Sequence, residues 1–256
     1  SVKNLTGQGF TDISFDLHQG EILAITGLQG SGRDAVADAL FGVIPYTGTV
    51  VVNGKTMRPG SISGFMRNQV AMVPRMRKER VWLKNRLEQL RKERGIHNDL
   101  SIYDNLYMAY LNTKFKRLLI KKSDMDQRFG RQKEALAIKT ENAKNPITSL
   151  SGGNQQKVIL GKWLEADADI LLFDNPTQGI DVGTKFEIYH LILKLAKAGK
   201  AVIVFSQEFP ELYKVADKCL VLYKGRINAT LDRDQLTEKN VMYYSTGANL
   251  EVEKHA

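Results

Sequence analysis

The stretch Ser149-Leu150-Ser151-Gly152-Gly153-Asn154-Gln155-Gln156 is followed, 23 residues after Ser151, by the end of the apolar run Ile170-Leu171-Leu172-Phe173-Asp174. No other feature restricts the fold as much. Two adjacent glycines let backbone N–H groups come close to an anion, and Ser151 adds a hydroxyl. The helical pattern through Leu164 turns its positive dipole end toward the same point. Such a turn suits the terminal phosphate of a nucleotide. Asp174, at the end of an apolar strand, is placed to hold Mg²⁺ through water. Taken alone, Ser-Gly-Gly also reads as a simple helix cap; its spacing from Asp174 favours phosphate chemistry.

With 256 residues, 43% of them hydrophobic, the chain can bury one large core or two lobes. No run of 18 apolar residues exists, so nothing reads as a membrane span, and no signal peptide opens the chain. The single cysteine, Cys219, excludes a disulfide framework and reads as a core residue, which fits a reducing cytoplasm. His18, His97, His190 and His255 show no metal-ligand spacing. The net charge is +9, and residues 75–94 carry nine Lys/Arg against three Glu, a local excess of +6. That run suits nucleic acid, anionic lipid or an acidic partner, or equally a solvated helix face.

Along the chain, residues 10–26 predict a β-hairpin turning at His18-Gln19-Gly20 into the buried strand 21–26. A glycine-rich loop and a helix over Asp34–Phe41 follow, then strands at 48–54 and 69–74. From 75 to about 145 the pattern is helical, polar and basic. Beyond the signature helix come strand 169–174, helix 183–198, strand 201–205, helix 209–216 and strand 219–223. This alternation predicts parallel βαβ units. The expected architecture is an α/β nucleotide-binding core, an antiparallel β layer near the N-terminus and an inserted helical subdomain at about 75–150.

Gly27-Leu28-Gln29-Gly30-Ser31-Gly32-Arg33-Asp34 sits between a strand and a helix. Gly27 and Gly32 match the phosphate-loop glycines of G-x-x-x-x-G-K-[ST], while Arg33 replaces the lysine and Asp34 the Mg²⁺-binding hydroxyl. Backbone N–H groups of residues 30–34 can still face phosphate. Arg33 keeps a positive charge, as a broad fork instead of a compact ammonium. The Asp34 carboxylate would repel a triphosphate unless a cation intervenes. Two readings of Asp34 stay open, a helix N-cap and a weakened Mg²⁺ site.

These motifs resemble the ATP-binding cassette (ABC) family. The closer likeness is to the C-terminal cassette of monosaccharide-type bacterial importers, among them the ribose, galactose and xylose ATPases. It rests on Asn-Leu-Thr-Gly at 4–7, Gly-Glu-Ile-Leu at 20–23, Leu-Ser-Gly-Gly-Asn-Gln-Gln-Lys-Val at 150–158, Pro-Thr-Gln-Gly-Ile-Asp-Val-Gly at 176–183, Glu-Ile-Tyr at 187–189 and Ser-Thr-Gly-Ala-Asn at 245–249. It covers most of the chain except about 76–95, where Arg-Lys-Glu-Arg occurs twice, as if a basic helix had been inserted. The likeness implies one cassette with a RecA-like parallel-sheet core, read as the second half of a two-cassette polypeptide.

It also implies a mechanism. Two cassettes sandwich ATP and Mg²⁺, each nucleotide lying between one phosphate loop and the opposite signature, here Ser151, Gly152, Gly153 and Gln155. The loop bearing Gly179 and Asp181 would touch the partner cassette. The family's adenine-stacking aromatic lies upstream of the phosphate loop, and Phe10 is the nearest candidate. The family's catalytic glutamate is Asn175 here, and its switch histidine is Gln207. Asn175 cannot accept a proton, and losing a general base costs about 10²–10⁴ in rate. Val73-Pro74-Arg75-Met76-Arg77 lacks the carboxylates often seen at that loop. The implied partners are a first cassette, transmembrane permease subunits and, indirectly, a solute-binding protein, at the cytoplasmic face of the inner membrane. A hydrolysis-deficient regulatory module is an alternative. So is a non-transport ABC protein acting on nucleic acid, which the importer-like motifs disfavour.

Overall fold

The structure is a computed structural model that describes residues 1–74, 96–98, 100–107, 122–165 and 168–248. Two sheets organise it. The smaller pairs β2 (Phe10–Phe15), β1 (Val2–Gly7), β4 (Thr47–Val52) and β5 (Lys55–Thr56) in that order, all antiparallel. The larger runs β10 (Arg226–Asp232), β9 (Lys218–Tyr223), β3 (Ile22–Thr26), β8 (Ala201–Phe205), β7 (Ile170–Asp174), β6 (Val70–Val73). It is parallel except for β10, which returns antiparallel on β9. The expected α/β architecture with an antiparallel N-terminal layer is therefore present.

Every residue of β3 and of β8 is buried, as a parallel strand covered on both faces requires. The described helices are α1 (Arg33–Leu40), α2 (Ile62–Arg67), α3 (Lys122–Ala135), α4 (Gly152–Leu164), α5 (Val182–Lys197), α6 (Phe209–Val215) and α7 (Glu238–Ser245), of which α1 and α5 pack on β8. Phe41, just past α1, meets the Trp163 ring of α4 edge-on at 5.7 Å between centroids. Phe205 has no exposed surface; truncating such a ring to alanine costs about 3–5 kcal/mol. Cys219 is fully buried on β9, and burial pushes its thiol up to about 12.

One expectation is corrected. Residues 10–26 do not form a hairpin: β2 pairs with β1, and β3 belongs to the other sheet. The turn at Gly20 is real, with φ +81°, but it passes the chain between layers. The reason lies in the faces. β2 buries Phe10 and Ile13 and exposes Thr11, Asp12 and Ser14, which suits a one-sided sheet. β3 is apolar on both sides and must lie between parallel neighbours.

The helical region expected at 75–150 is described in part, as helical turns at 102–107 and as α3. The basic stretch 76–95 lies outside the described residues. Among the described residues no helix is long and apolar enough to cross a membrane.

Candidate functional site

The ends of β3, β7 and β8 converge, because parallel strands deliver their C-terminal loops to one edge of the sheet. The loop after β3 is Gly27–Gly32. Gly32 is the N-cap of α1 at φ +92°, and a Cβ there would come within 2.4 Å of the Gly9 carbonyl oxygen. Only glycine fits. The turn between β9 and β10 braces the loop from outside: the Gly225 N–H donates to the Ser31 carbonyl at 2.9 Å, and the Thr11 N–H donates to the Gly225 carbonyl at 2.7 Å. The sequence reading missed this brace, although Ile227, Ala229 and Leu231 alternate after Lys-Gly as a returning strand would.

A cleft of about 240 Å³ opens over the loop, lined by Leu28, Gln29, Gly30, Ser31, Gly32, Arg33 and Asp34, with Gly9, Ala35 and Gln207 completing it. The switch candidate Gln207 therefore shares a cavity with the phosphate loop. Phe10 does not. Its ring lies in the core with 2% of its surface exposed, beneath Gly7, and offers no open face for adenine. The expectation of Phe10 as a stacking platform is corrected on that ground.

Asp34 is not the N-cap; it sits inside the first turn of α1, and its side chain is 47% exposed. Arg33 folds back on it, with Nε and Nη2 donating to Asp34 Oδ1 at 3.2 and 2.7 Å. Arg33 is itself 4% exposed, and its Nη1 is buried with no partner. A buried, unpaired guanidinium N–H in a loop of this shape fits a phosphate oxygen. The hydroxyl that would face Mg²⁺ is replaced by a carboxylate already paired with Arg33, which leaves Asp174 as the carboxylate that could hold the ion through water beside nucleotide phosphates.

Asp174 ends β7 with 5% exposure and accepts the Asn175 side-chain amide at 2.9 Å. Asn175 has φ +44°, a left-handed conformation that asparagine tolerates better than most residues, and its N–H donates to the Phe205 carbonyl at 2.8 Å. Asp174 and Asn175 thus lie beside the turn carrying Gln207.

The signature turn is elsewhere. Ser151 is exposed and caps α4, accepting from the Asn154 N–H, while Gln155 Nε2 donates to the Leu150 carbonyl at 3.0 Å and so braces the turn. Gly153 is buried against the start of α5, where an added Cβ would stand 2.9 Å from Thr184 Oγ1. Asp181 caps α5 by accepting from the Thr184 N–H and hydroxyl at 2.9 and 2.8 Å, and those bonds hold its carboxyl below the usual range. The signature and the Gly179–Asp181 loop are therefore neighbours. No residue from 150–155 lines the phosphate-loop cleft.

A family profile for ABC transporters matches residues 10–178. The chain belongs to the ABC transporter family. A Rhizobium meliloti (strain 1021) protein assigned to ribose/galactose/methyl galactoside import as an ATP-binding protein is 40% identical to the cassette, over 94% of this chain and 45% of that protein. Ribose import ATP-binding protein RbsA 1 of Streptomyces coelicolor is 39% identical over 96% of this chain and 46% of its own length. The cassette spans about half the length of the curated relatives it matches. Among solved structures, the ATP-binding cassette MJ1267 of an ABC transporter superposes with a TM-score of 0.75 at 17% identity, covering 95% of this chain and 96% of that one. A dimeric cassette in a post-hydrolysis state bound to ADP and Pi gives 0.73 at 18% identity, covering 91% and 97%. These likenesses establish the cassette fold.

Proposed function

We propose that this cassette is the second half of a two-cassette ATPase that energises uptake of a sugar-like solute, and that it completes a nucleotide site seated on the first cassette. The carrying observation is the exposed signature turn at Ser151, set apart from the chain's own phosphate-loop cleft. Ser151, Gly152 and the N-terminus of α4 would hold the terminal phosphate of ATP bound to the partner. The neighbouring Gly179–Asp181 loop would meet that partner. Relatives named for ribose import, about twice this chain's length, support the pairing. The helical region at about 75–150 would form the inserted subdomain, and transmembrane permease subunits would be partners on the cytoplasmic side. A solute-binding protein would act on the far side.

The chain's own site is the degenerate one in this reading. Arg33 and the backbone of residues 30–34 would hold phosphate oxygens, with Asp174 and Gln207 near the terminal phosphate. Asn175 supplies no general base, and Asp34 competes for the charge of Arg33. A steady-state ATPase assay on this chain alone tests the reading. Turnover near background with measurable nucleotide binding is expected; robust Mg²⁺-dependent turnover overturns it.

A further inference from the structure

Glu211 lies on α6 among the buried apolar residues Leu212 and Val215, and only 1% of its own surface is exposed. Its partners come from two of the three site loops. The Thr177 hydroxyl, fully buried in the loop after β7, donates to Glu211 Oε1 at 3.0 Å. Ser206, fully buried at the end of β8, sets its hydroxyl near the same carboxylate and favours its charged form. The third loop is reached through Ser206, whose carbonyl accepts the Thr26 hydroxyl at 2.7 Å one residue before Gly27. Ser206 Oγ further accepts the Glu208 N–H at 3.1 Å, so Gln207 is held between two fixed neighbours.

We propose that Glu211 is a positioning residue, a buried clasp that holds the loop bearing Gly179 and Asp181 in register with the turn bearing Gln207. The functional side of this rests on the pairing reading above; the mechanical side does not. A carboxyl group is a costly way to fill a dry pocket, since desolvating the anion opposes folding. It does offer two acceptor oxygens to two hydroxyls on different loops, which an apolar side chain cannot.

The clasp responds to pH with a definite sign. Burial, the largest influence, pushes the Glu211 carboxyl from 4.5 up to about 7; the Ser206 and Thr177 hydroxyls and Lys185 oppose this, and Glu208 adds to it. Lys185 and Tyr189 approach from α5, where Tyr189 bonds the Thr177 side chain and Lys185 pairs with Glu208. If the loop opens, water reaches Glu211 and its affinity for the proton falls. The closed state therefore holds the proton more tightly, and raising pH favours opening.

Hydrogen exchange of the 256-residue chain from pH 5 to 8, corrected for intrinsic rates, tests this. Opening of the Asn175 and Gln178 amides, which donate to the Phe205 and Asn175 carbonyls, should rise on the order of 100-fold across that window beyond any change in β1. Glu211→Gln, which keeps the shape and an acceptor oxygen, should flatten the profile. Thr177→Val, which removes the loop's hydroxyl, should raise opening of the same amides at every pH while Phe209–Val215 stays protected. A pH response equally large in β1, or one that persists in Glu211→Gln, overturns the clasp; so does a Thr177→Val loop as protected as the parent's. Because exchange needs no nucleotide or partner, failure of the pairing reading would show separately, as ATP turnover by this chain alone.

Discussion

The Arg33 guanidinium grips Asp34 Oδ1 at 2.7 Å, so the two residues that depart from the phosphate-loop consensus are paired with each other. An incoming triphosphate meets a cation whose charge is already engaged and a carboxylate beside it.

Replacing that carboxylate should therefore favour nucleotide at the chain's own loop. Asp34→Ser is expected to tighten ATP binding about tenfold, equivalent to about 1.4 kcal/mol. Titration with a fluorescent ATP analogue, with and without Mg²⁺, measures it. Unchanged affinity would mean that the pair does not govern this loop.

The signature should act on a partner's nucleotide and not on its own. Ser151→Ala in the two-cassette protein is expected to lower turnover by about 10²-fold, as loss of one positioned donor to a developing charge does. Nucleotide affinity at the Arg33 loop should stay as it was. Equal losses at both sites would place the signature within its own monomer's site.

Glu211 gives the fold a pH dependence of calculable sign. Its folded value of about 7 exceeds the ordinary 4.5, so the folded state holds the proton more tightly. The resulting stabilisation is full below pH 4.5 and is lost as pH rises through about 7, an effect on the order of 3 kcal/mol. Urea denaturation at pH 5 and pH 8 should show it. Glu211→Gln should be more stable than the parent at pH 8 and should lose this part of the slope.

Gly32→Ala puts a methyl group 2.4 Å from the Gly9 carbonyl oxygen at φ +92°. Backbone strain and clash together should cost about 2–4 kcal/mol. Thermal unfolding would read this as a clear fall in Tm. A neutral substitution would mean that the loop adopts another shape.

Much of the scaffold was legible locally. Ile22–Thr26, Ile170–Asp174 and Ala201–Phe205 are apolar on both faces, and each is a central parallel strand within a residue of where its pattern placed it. The signature helix was legible too, since Ser151 and its glycines punctuate the chain where α4 begins. The last helix, α7, and strands β1 and β10 were not, because their apolar residues are sparse and gain meaning only from the sheet or core they complete.

The chain alone determined the central parallel strands, the signature helix and which chemical groups are missing from the phosphate loop, because those follow from periodicity, glycine placement and side-chain identity. Tertiary structure decided which neighbours meet. It separated β2 from β3, buried Phe10, set Gly225 against Ser31, joined Arg33 to Asp34 and drew Thr177, Ser206 and Glu211 into one dry pocket. The physical reason is that burial is shared: a pattern of apolar and polar positions states how much of a strand or helix must be covered, but only the packed layers state by what.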